Sequence, residues 1–251
     1  MITIDSIKKW KNVRYHLKKE DIGFVPTMGS LHSGHVSLIQ RSKKKNRITV
    51  VSIFLNPTQF NNKDDLNNYP KDFKRDKEIL KDLRVDYLFS PNKSDIYCDN
   101  YKYQVSEKEI SKILCGRKRR GHFEGVLTVV LKLLNLVNPK NSYFGEKDFQ
   151  QFLLIKGMVK ALFLDINCFS CPTVRDFNGL AISSRNLLLT DKQREKASNF
   201  FRILSSNITN ELKIKKLSNL GFKIDYIEDH FGRTFGAIYY KGVRLIDNVK
   251  K

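Results

Sequence analysis

Gly23-Phe24-Val25-Pro26-Thr27-Met28-Gly29-Ser30-Leu31-His32-Ser33-Gly34-His35-Val36-Ser37-Leu38-Ile39 carries the assignment of architecture. It reads as a short apolar strand, a turn of small residues and the beginning of a helix. In open parallel sheets, ligands bind beyond the carboxyl ends of the strands. A helix that starts there offers free N–H groups and a positive dipole end to a phosphate. Imidazoles at His32 and His35 can hydrogen-bond phosphate oxygens, and Gly34 lets the chain pass close to a nucleotide. A solvent-facing turn with incidental histidines would read the same way in isolation; the preceding strand favours the phosphate reading.

Working outward, Ile48–Leu55 (ITVVSIFL) is a continuous β-branched run, and Asp86–Ser90 and Ser142–Phe144 are two shorter strand candidates. Unbroken apolar strands imply burial on both faces, as in a parallel sheet. Between them, Leu66, Tyr69, Phe73, Leu80 and Leu83 are spaced to share one helical face, and Phe123–Val137 is apolar almost all round, which predicts a buried helix. This alternation predicts a right-handed, doubly wound α/β domain over residues 1–172. The pattern changes near Pro172. A helical stretch over Asp191–Leu217 precedes three strand-like segments, Ile224–Glu228, Phe235–Tyr240 and Val243–Asn248, with Lys241-Gly242 as a hairpin turn. Residues 173–251 therefore read as a small α+β domain.

Composition excludes more than it assigns. A chain of 251 residues with 41% hydrophobic content can build a core, and no apolar run approaches the roughly 20 residues needed to span a bilayer. Met1–Trp10 lacks the apolar centre of a signal peptide, so a cytoplasmic location is expected. Cys98 and Cys115 stand apart, and Cys168 and Cys171 form a lone C-x-x-C, read as reduced thiols rather than a zinc site. The net charge of +20 suggests nucleic acid. Yet the lysines are scattered, apart from Lys43–Lys45 and the Arg117–Arg120 run, and no aromatic-interleaved basic stripe occurs. The chain is rich in residues of A/T-rich codons, which accounts for the charge without a nucleic-acid partner.

Four further segments carry chemistry. In Asn56-Pro57-Thr58-Gln59-Phe60, the amides can bind hydroxyl and carboxylate groups without adding charge. In Gly145-Glu146-Lys147-Asp148-Phe149-Gln150-Gln151, Lys147 can neutralise charge growing on a phosphate and Asp148 can hold a ribose or hydrated magnesium. Gln151, one helical turn on, can face the same cavity. The hydroxyls and guanidinium of Ile182-Ser183-Ser184-Arg185-Asn186, preceded by Val174, suit terminal phosphates. Gly116-Arg117-Lys118-Arg119-Arg120-Gly121-His122-Phe123 sets cations and a histidine before the buried helix. Each has a plain alternative: a strand-closing turn, a helix N-cap, or a solvated loop.

Together and in this order, PTMGxLHxGH, SIFxNPTQF, GHFxGVxTVVxKLxNLVxP, YFGEKDxQQ, PTVRxxxGLAxSSRN and the closing RLIDN resemble the pantothenate synthetase family of the nucleotidylyltransferases. The resemblance implies a Rossmann-like domain that joins pantoate to β-alanine through a pantoyl adenylate, with Mg2+ accompanying ATP. It implies ATP contacts from Met28, Gly29, Ser30, Leu31, His32, Ser33, Gly34 and His35, from Gly145, Glu146, Lys147 and Asp148, and from Val174 and Ile182–Arg185. His35 takes the role of proton donor, with His32, Lys147 and Arg185 as catalytic partners. Gln59, Gln151, Asn56, Arg119 and His122 are expected at pantoate and β-alanine. No dedicated metal site, no nucleic acid and no membrane are implied; a homodimer is. A related transferase acting on a different acid or on a phosphate is the competing reading; the neutral amides of Asn56, Gln59 and Gln151 disfavour a phosphate acceptor. Three departures stand out: Arg120 replaces a usual proline, which would loosen its loop, the chain after Asn186 is shorter than usual, and the lysine content is unusually dense. A shorter lid would weaken ATP binding or slow turnover.

Overall fold

Both faces of the main sheet are covered, which is why its strands read as unbroken apolar runs. In a computed structural model describing all residues 1–251, β1 (Ile2–Ile4), β2 (Ile22–Thr27), β3 (Ile48–Ile53), β4 (Tyr87–Phe89), β5 (Asn141–Gly145) and β6 (Asn167–Cys171) form one parallel sheet. Successive residues feed opposite cores. Phe24, Val50, Phe89 and Phe144 pack with Trp10 and the helix His122–Val137, whereas Val25, Val51, Leu88 and Tyr143 pack with Leu38, Ile39 and Leu80. The order β1-β4-β3-β2-β5-β6 runs outward from β2 to β3 and β4, then returns to lay β5 and β6 on the other side. That reversal opens a crevice between the carboxyl ends of β2 and β5, the place where such sheets bind ligands.

Short edge strands β1 and β6 extend the sheet beyond the four strands legible as apolar runs. The expected single helical face over Leu66–Leu83 is instead two helices, Lys63–Asn67 and Phe73–Asp82. Pro70 has no N–H to continue the first, and Asp72 caps the second by accepting from the Arg75 N–H at 3.0 Å. Phe73 is consequently outside the core, at 44% exposure. The helical stretch from Asp191 likewise divides into Asp191–Ala197, Asn199–Leu204 and Asn210–Asn219.

The C-terminal strands β7 (Lys223–His230), β8 (Arg233–Tyr240) and β9 (Val243–Lys250) form an antiparallel sheet. Lys241 and Gly242 both have positive φ, 49° and 78°, as a two-residue hairpin turn matched to strand twist requires. One set of side chains, including Ile227, Ile238 and Leu245, packs under the three helices with Phe200, Leu204 and Leu217. Tyr226, Phe235 and Ala237 instead join the apolar cluster of Phe123, Val126 and Phe152. The second unit thus shares a core with the first.

The helix His122–Val137 closes against the turn after β3 at Gly125. A Cβ there would lie 2.6 Å from the Thr58 carbonyl oxygen and 2.8 Å from the Gln59 nitrogen, both backbone atoms. Gly125→Ala is therefore expected to destabilise the protein by about 1–3 kcal/mol. Urea unfolding measures this, and an unchanged stability would show that the turn moves aside freely.

Candidate active site

At the exit of β2, the chain turns sharply through Gly29 (φ 83°) and Ser30 (φ 52°). Asp76, on the helix Phe73–Asp82, fixes this turn by accepting from the Ser30 N–H at 2.8 Å and the Leu31 N–H at 2.7 Å. It is buried, and burial pushes its pKa up while the two N–H donors oppose the shift. Asp76 does not emerge from the sequence motifs. Its one signal is a carboxylate four residues before Leu80, on a helical face otherwise directed inward.

The turn delivers His32 as N-cap of the helix Ser33–Lys45. His32 Nδ1 accepts from the Gly34 N–H at 3.2 Å, and His35 Nδ1 accepts from the His32 N–H at 3.3 Å. The rings lie with centroids 4.0 Å apart. Gly34 is required because a Cβ would come within 2.9 Å of the His32 ring. Burial, helped by the nearby Lys147 charge, pulls the His32 pKa down to about 4. Burial, then His32 and Lys147, holds His35 well below its ordinary value. Both imidazoles are therefore neutral at physiological pH. With each Nδ1 accepting, each carries its proton on Nε2 and presents one donor.

After β3, Asn56 is 1% exposed. Its Nδ2 donates to Gln59 Oε1 at 2.9 Å and to the Gly125 carbonyl at 3.1 Å, and its Oδ1 accepts from the Thr58 and Tyr97 hydroxyls. Asn56 lines the cavity described below, and its amide also holds Gln59 in place. The Gln59 side-chain NH2 makes no bond to the protein. The Gln59 carbonyl accepts from His122 Nδ1 at 2.8 Å and Arg119 Nη2 at 3.2 Å. Arg119 Nη1 also donates to His122 Nε2 at 3.0 Å, so His122 is neutral with its proton on Nδ1, the opposite tautomer from the first pair. Burial, then Arg119, pulls the His122 pKa down to about 3. Arg119 itself falls to about 10, through burial and then the charges of Arg185 and Arg244, and no carboxylate pairs with it. The Arg120 carbonyl accepts from Asn61 Nδ2.

Beyond β5, the Lys147 ammonium rests 3.3 Å from the Asp148 carboxylate. Gln151 points its unbonded amide into the same space, whereas Gln150 is spent internally on Cys115, Ile110 and Ile113. Arg185 pairs with Asp65 at 2.8 Å, and Ser184 Oγ donates to the Ser30 carbonyl at 3.1 Å, tying the first motif to the fourth.

One cavity of about 250 Å³ is lined by Met28, His32, His35 and Gln59, by Arg119, His122, Lys147 and Asp148, and by Gln151, Ser183, Ser184 and Arg185. An adjoining hollow shares His32, Ser183 and Ser184 and adds Ser30, Leu31 and Ile182. Gly29, Ser33, Gly34, Gly145, Glu146 and Val174 line neither. Ser33 is exposed; Val174 supports the wall by accepting from the Ile182 N–H at 3.0 Å. Glu146 turns toward the second unit, accepting from Arg233 at 3.0 Å and from Ser170 Oγ at 3.2 Å. The second unit also supplies Tyr226, Arg244 and Asp247 to the cavity wall.

Residues 1–250 match the profile of the family described as pantoate-beta-alanine ligase. The chain belongs to this ligase family. It is 50% identical over 244 residues to the pantothenate synthetase of Legionella pneumophila, covering 97% of each chain. A crystal structure of pantoate-beta-alanine ligase from Francisella tularensis, complexed with beta-gamma ATP and beta-alanine, superposes with a TM-score of 0.96 at 46% identity, covering 100% of this chain and 97% of that one. Pantothenate synthetase from Thermus thermophilus gives 0.90 at 34% identity, covering 100% of this chain and 99% of that one. The chain covers 97–99% of the length of these ligases, so it is not markedly shorter than they are. No helix of this ligase is long and apolar enough to cross a membrane.

The lowered histidine pKa values fix the sign of a pH effect. Unfolding returns His32, His35 and His122 to an ordinary pKa near 6.5, so below that pH the unfolded chain binds protons that the folded one refuses. Their stabilising contribution is complete above pH 6.5 and is lost as pH falls toward about 4 for His32 and about 3 for His122. Urea unfolding should show stability declining below about pH 6.5 by up to about 1.4 kcal/mol per pH unit per proton. His32→Gln and His122→Gln should each flatten the slope; an equal slope in both variants would contradict the assignment.

Proposed function

We propose that the cavity joins pantoate to β-alanine in two steps, by way of an enzyme-held pantoyl adenylate. The observation that carries this reading is the meeting of two donor sets in one space. Neutral Nε2–H donors, Lys147 and Arg185 suit a triphosphate; Arg119 without a carboxylate partner, the unbonded NH2 of Gln59 and the free amide of Gln151 suit a hydroxy acid. In the first step, the pantoate carboxylate attacks the α-phosphorus of ATP and pyrophosphate leaves. The β-alanine amine then attacks the acyl carbon, forming the amide and releasing AMP. No side chain becomes a covalent intermediate. The protein contributes position and electrostatic stabilisation of charge on the transferring phosphoryl group.

In this scheme, His32 and His35 act first as Nε2–H hydrogen-bond donors to phosphate oxygens. Arrival of the polyanion raises their proton affinity, so His35 can take up a proton from solvent and, as imidazolium, pass one to the departing pyrophosphate, returning to the neutral form. Lys147 bridges toward the α-phosphate, and Arg185 exchanges Asp65 for the terminal phosphates. The second unit acts as the lid over the nucleotide.

A resident metal would require a cluster of carboxylate, imidazole or thiol ligands, and nowhere do three or more such groups gather. The donor set fits a Mg2+ that arrives on the nucleotide phosphates, with Asp148 as the carboxylate available to its hydration shell. Such an ion neutralises phosphate charge when bound.

Pyrophosphate exchange into ATP should depend on pantoate, with AMP released only after β-alanine is added. Exchange driven by other acids but not by pantoate would overturn the substrate assignment. Lys147→Ala should slow the first step by roughly 10²–10³-fold while leaving pantoate binding within a few-fold. A near-wild-type first-step rate would remove Lys147 from the chemistry.

A further inference from the structure

The closing motif Arg244-Leu245-Ile246-Asp247-Asn248 lies on β9 and has no part in the scheme above. A strand sends alternate side chains to opposite faces, and here the faces divide between the two units. Leu245 enters the core of the second unit, and Asp247 pairs with Arg175 at 2.6 and 3.0 Å. Arg244, Ile246 and Asn248 face the first unit: Arg244 donates to Cys115 Sγ, and Ile246 packs on the main core. Asn248 is 4% exposed, and its Nδ2 donates to the Glu146 carbonyl at 2.8 Å and the Lys147 carbonyl at 3.1 Å.

Those two carbonyls belong to the peptide planes on either side of the Lys147 Cα. One amide group therefore constrains both planes, and with them the direction in which the lysine side chain leaves the backbone. The amide cannot be reversed, because its Oδ1 accepts from Arg233 Nη1 at 2.8 Å, and a flip would set oxygen against two carbonyls. Arg233 itself is 7% exposed, pairs with Glu146 and lies over the Phe149 ring at 4.0 Å. The turn bearing Lys147 is thus gripped at residues 146, 147 and 149 by two side chains of the second sheet.

We infer that Asn248 is a positioning residue, which aims Lys147 into the cavity from the opposite unit. The inference rests on the reading of Lys147 as a phosphate-directed cation, and its test separates the two. Amide hydrogen exchange, which needs no substrate, should be about tenfold faster over residues 144–151 in Asn248→Ala, with the turn at Gly29–Leu31 unchanged. Pantoate-dependent pyrophosphate exchange should lose roughly a hundredfold in kcat, with KM for pantoate within about twofold. In a Lys147→Ala background, the same substitution should cost less than about twofold. Asn248→Asp keeps the volume but turns an acceptor toward the two carbonyls; it should match the alanine variant and replaces it should that variant fail to fold. Unchanged hydrogen exchange over 144–151, or an undiminished kcat loss without Lys147, would overturn the inference. Absence of exchange activity in the unsubstituted enzyme would instead fault the function, with the hydrogen-exchange comparison still judging Asn248.

Discussion

The carboxylate of Asp76 accepting two successive backbone N–H groups is the constraint on which the site depends. Without it, the turn through Gly29 and Ser30 would expose unpaired donors in a buried place, where each costs about 1–3 kcal/mol. With it, the chain leaving β2 bends back over the sheet, His32 takes the N-cap, and His35 bonds to the His32 N–H. The imidazole tautomers follow from backbone contacts made before any ligand arrives. This is preorganisation in a concrete sense: the donors are aimed by the fold, and no reorientation is required at the moment of reaction.

Much of this is legible in the sequence because parallel-sheet burial leaves a strong mark. Val50, Val51, Phe24 and Val25 are apolar in succession since both faces need them, and Gly29-Ser30, Asn56-Pro57 and Gly145 mark the loops at the rim. The edge strands β1 and β6 escape notice because a short, half-covered strand carries no such run. The single helix expected over Leu66–Leu83 fails for a local reason: spacing matches one face, but Pro70 removes the N–H that would continue it. Among the site residues, those with open functional groups are readable from type and position. For Asn56, residue type cannot reveal which partners an amide takes, and its bonds to Gln59 and to the Gly125 carbonyl come only from the fold. Asp65 and Asp76 stay hidden because their partners lie 120 and 46 residues away.

The two sheets are also less separate than the change of pattern near Pro172 suggests. Phe235 and Tyr226 sit in the principal core, Arg233 and Asn248 hold the turn after β5, and Asp247 reaches the cavity. Removing the second unit would strip apolar cover from the long helix after Gly121 as well as one wall of the site.

The two cations proposed to meet the triphosphate already have company. Lys147 rests on Asp148, and Arg185 rests on Asp65. An incoming anion therefore trades places with internal counter-ions, and the favourable energy is a difference between ion pairs rather than the whole of one. A lone orthophosphate can replace one carboxylate at a time and gains little, whereas a chain of linked phosphates displaces both in one event. Selectivity against the small anions abundant in any cell then comes from occupancy of the empty site by its own acids.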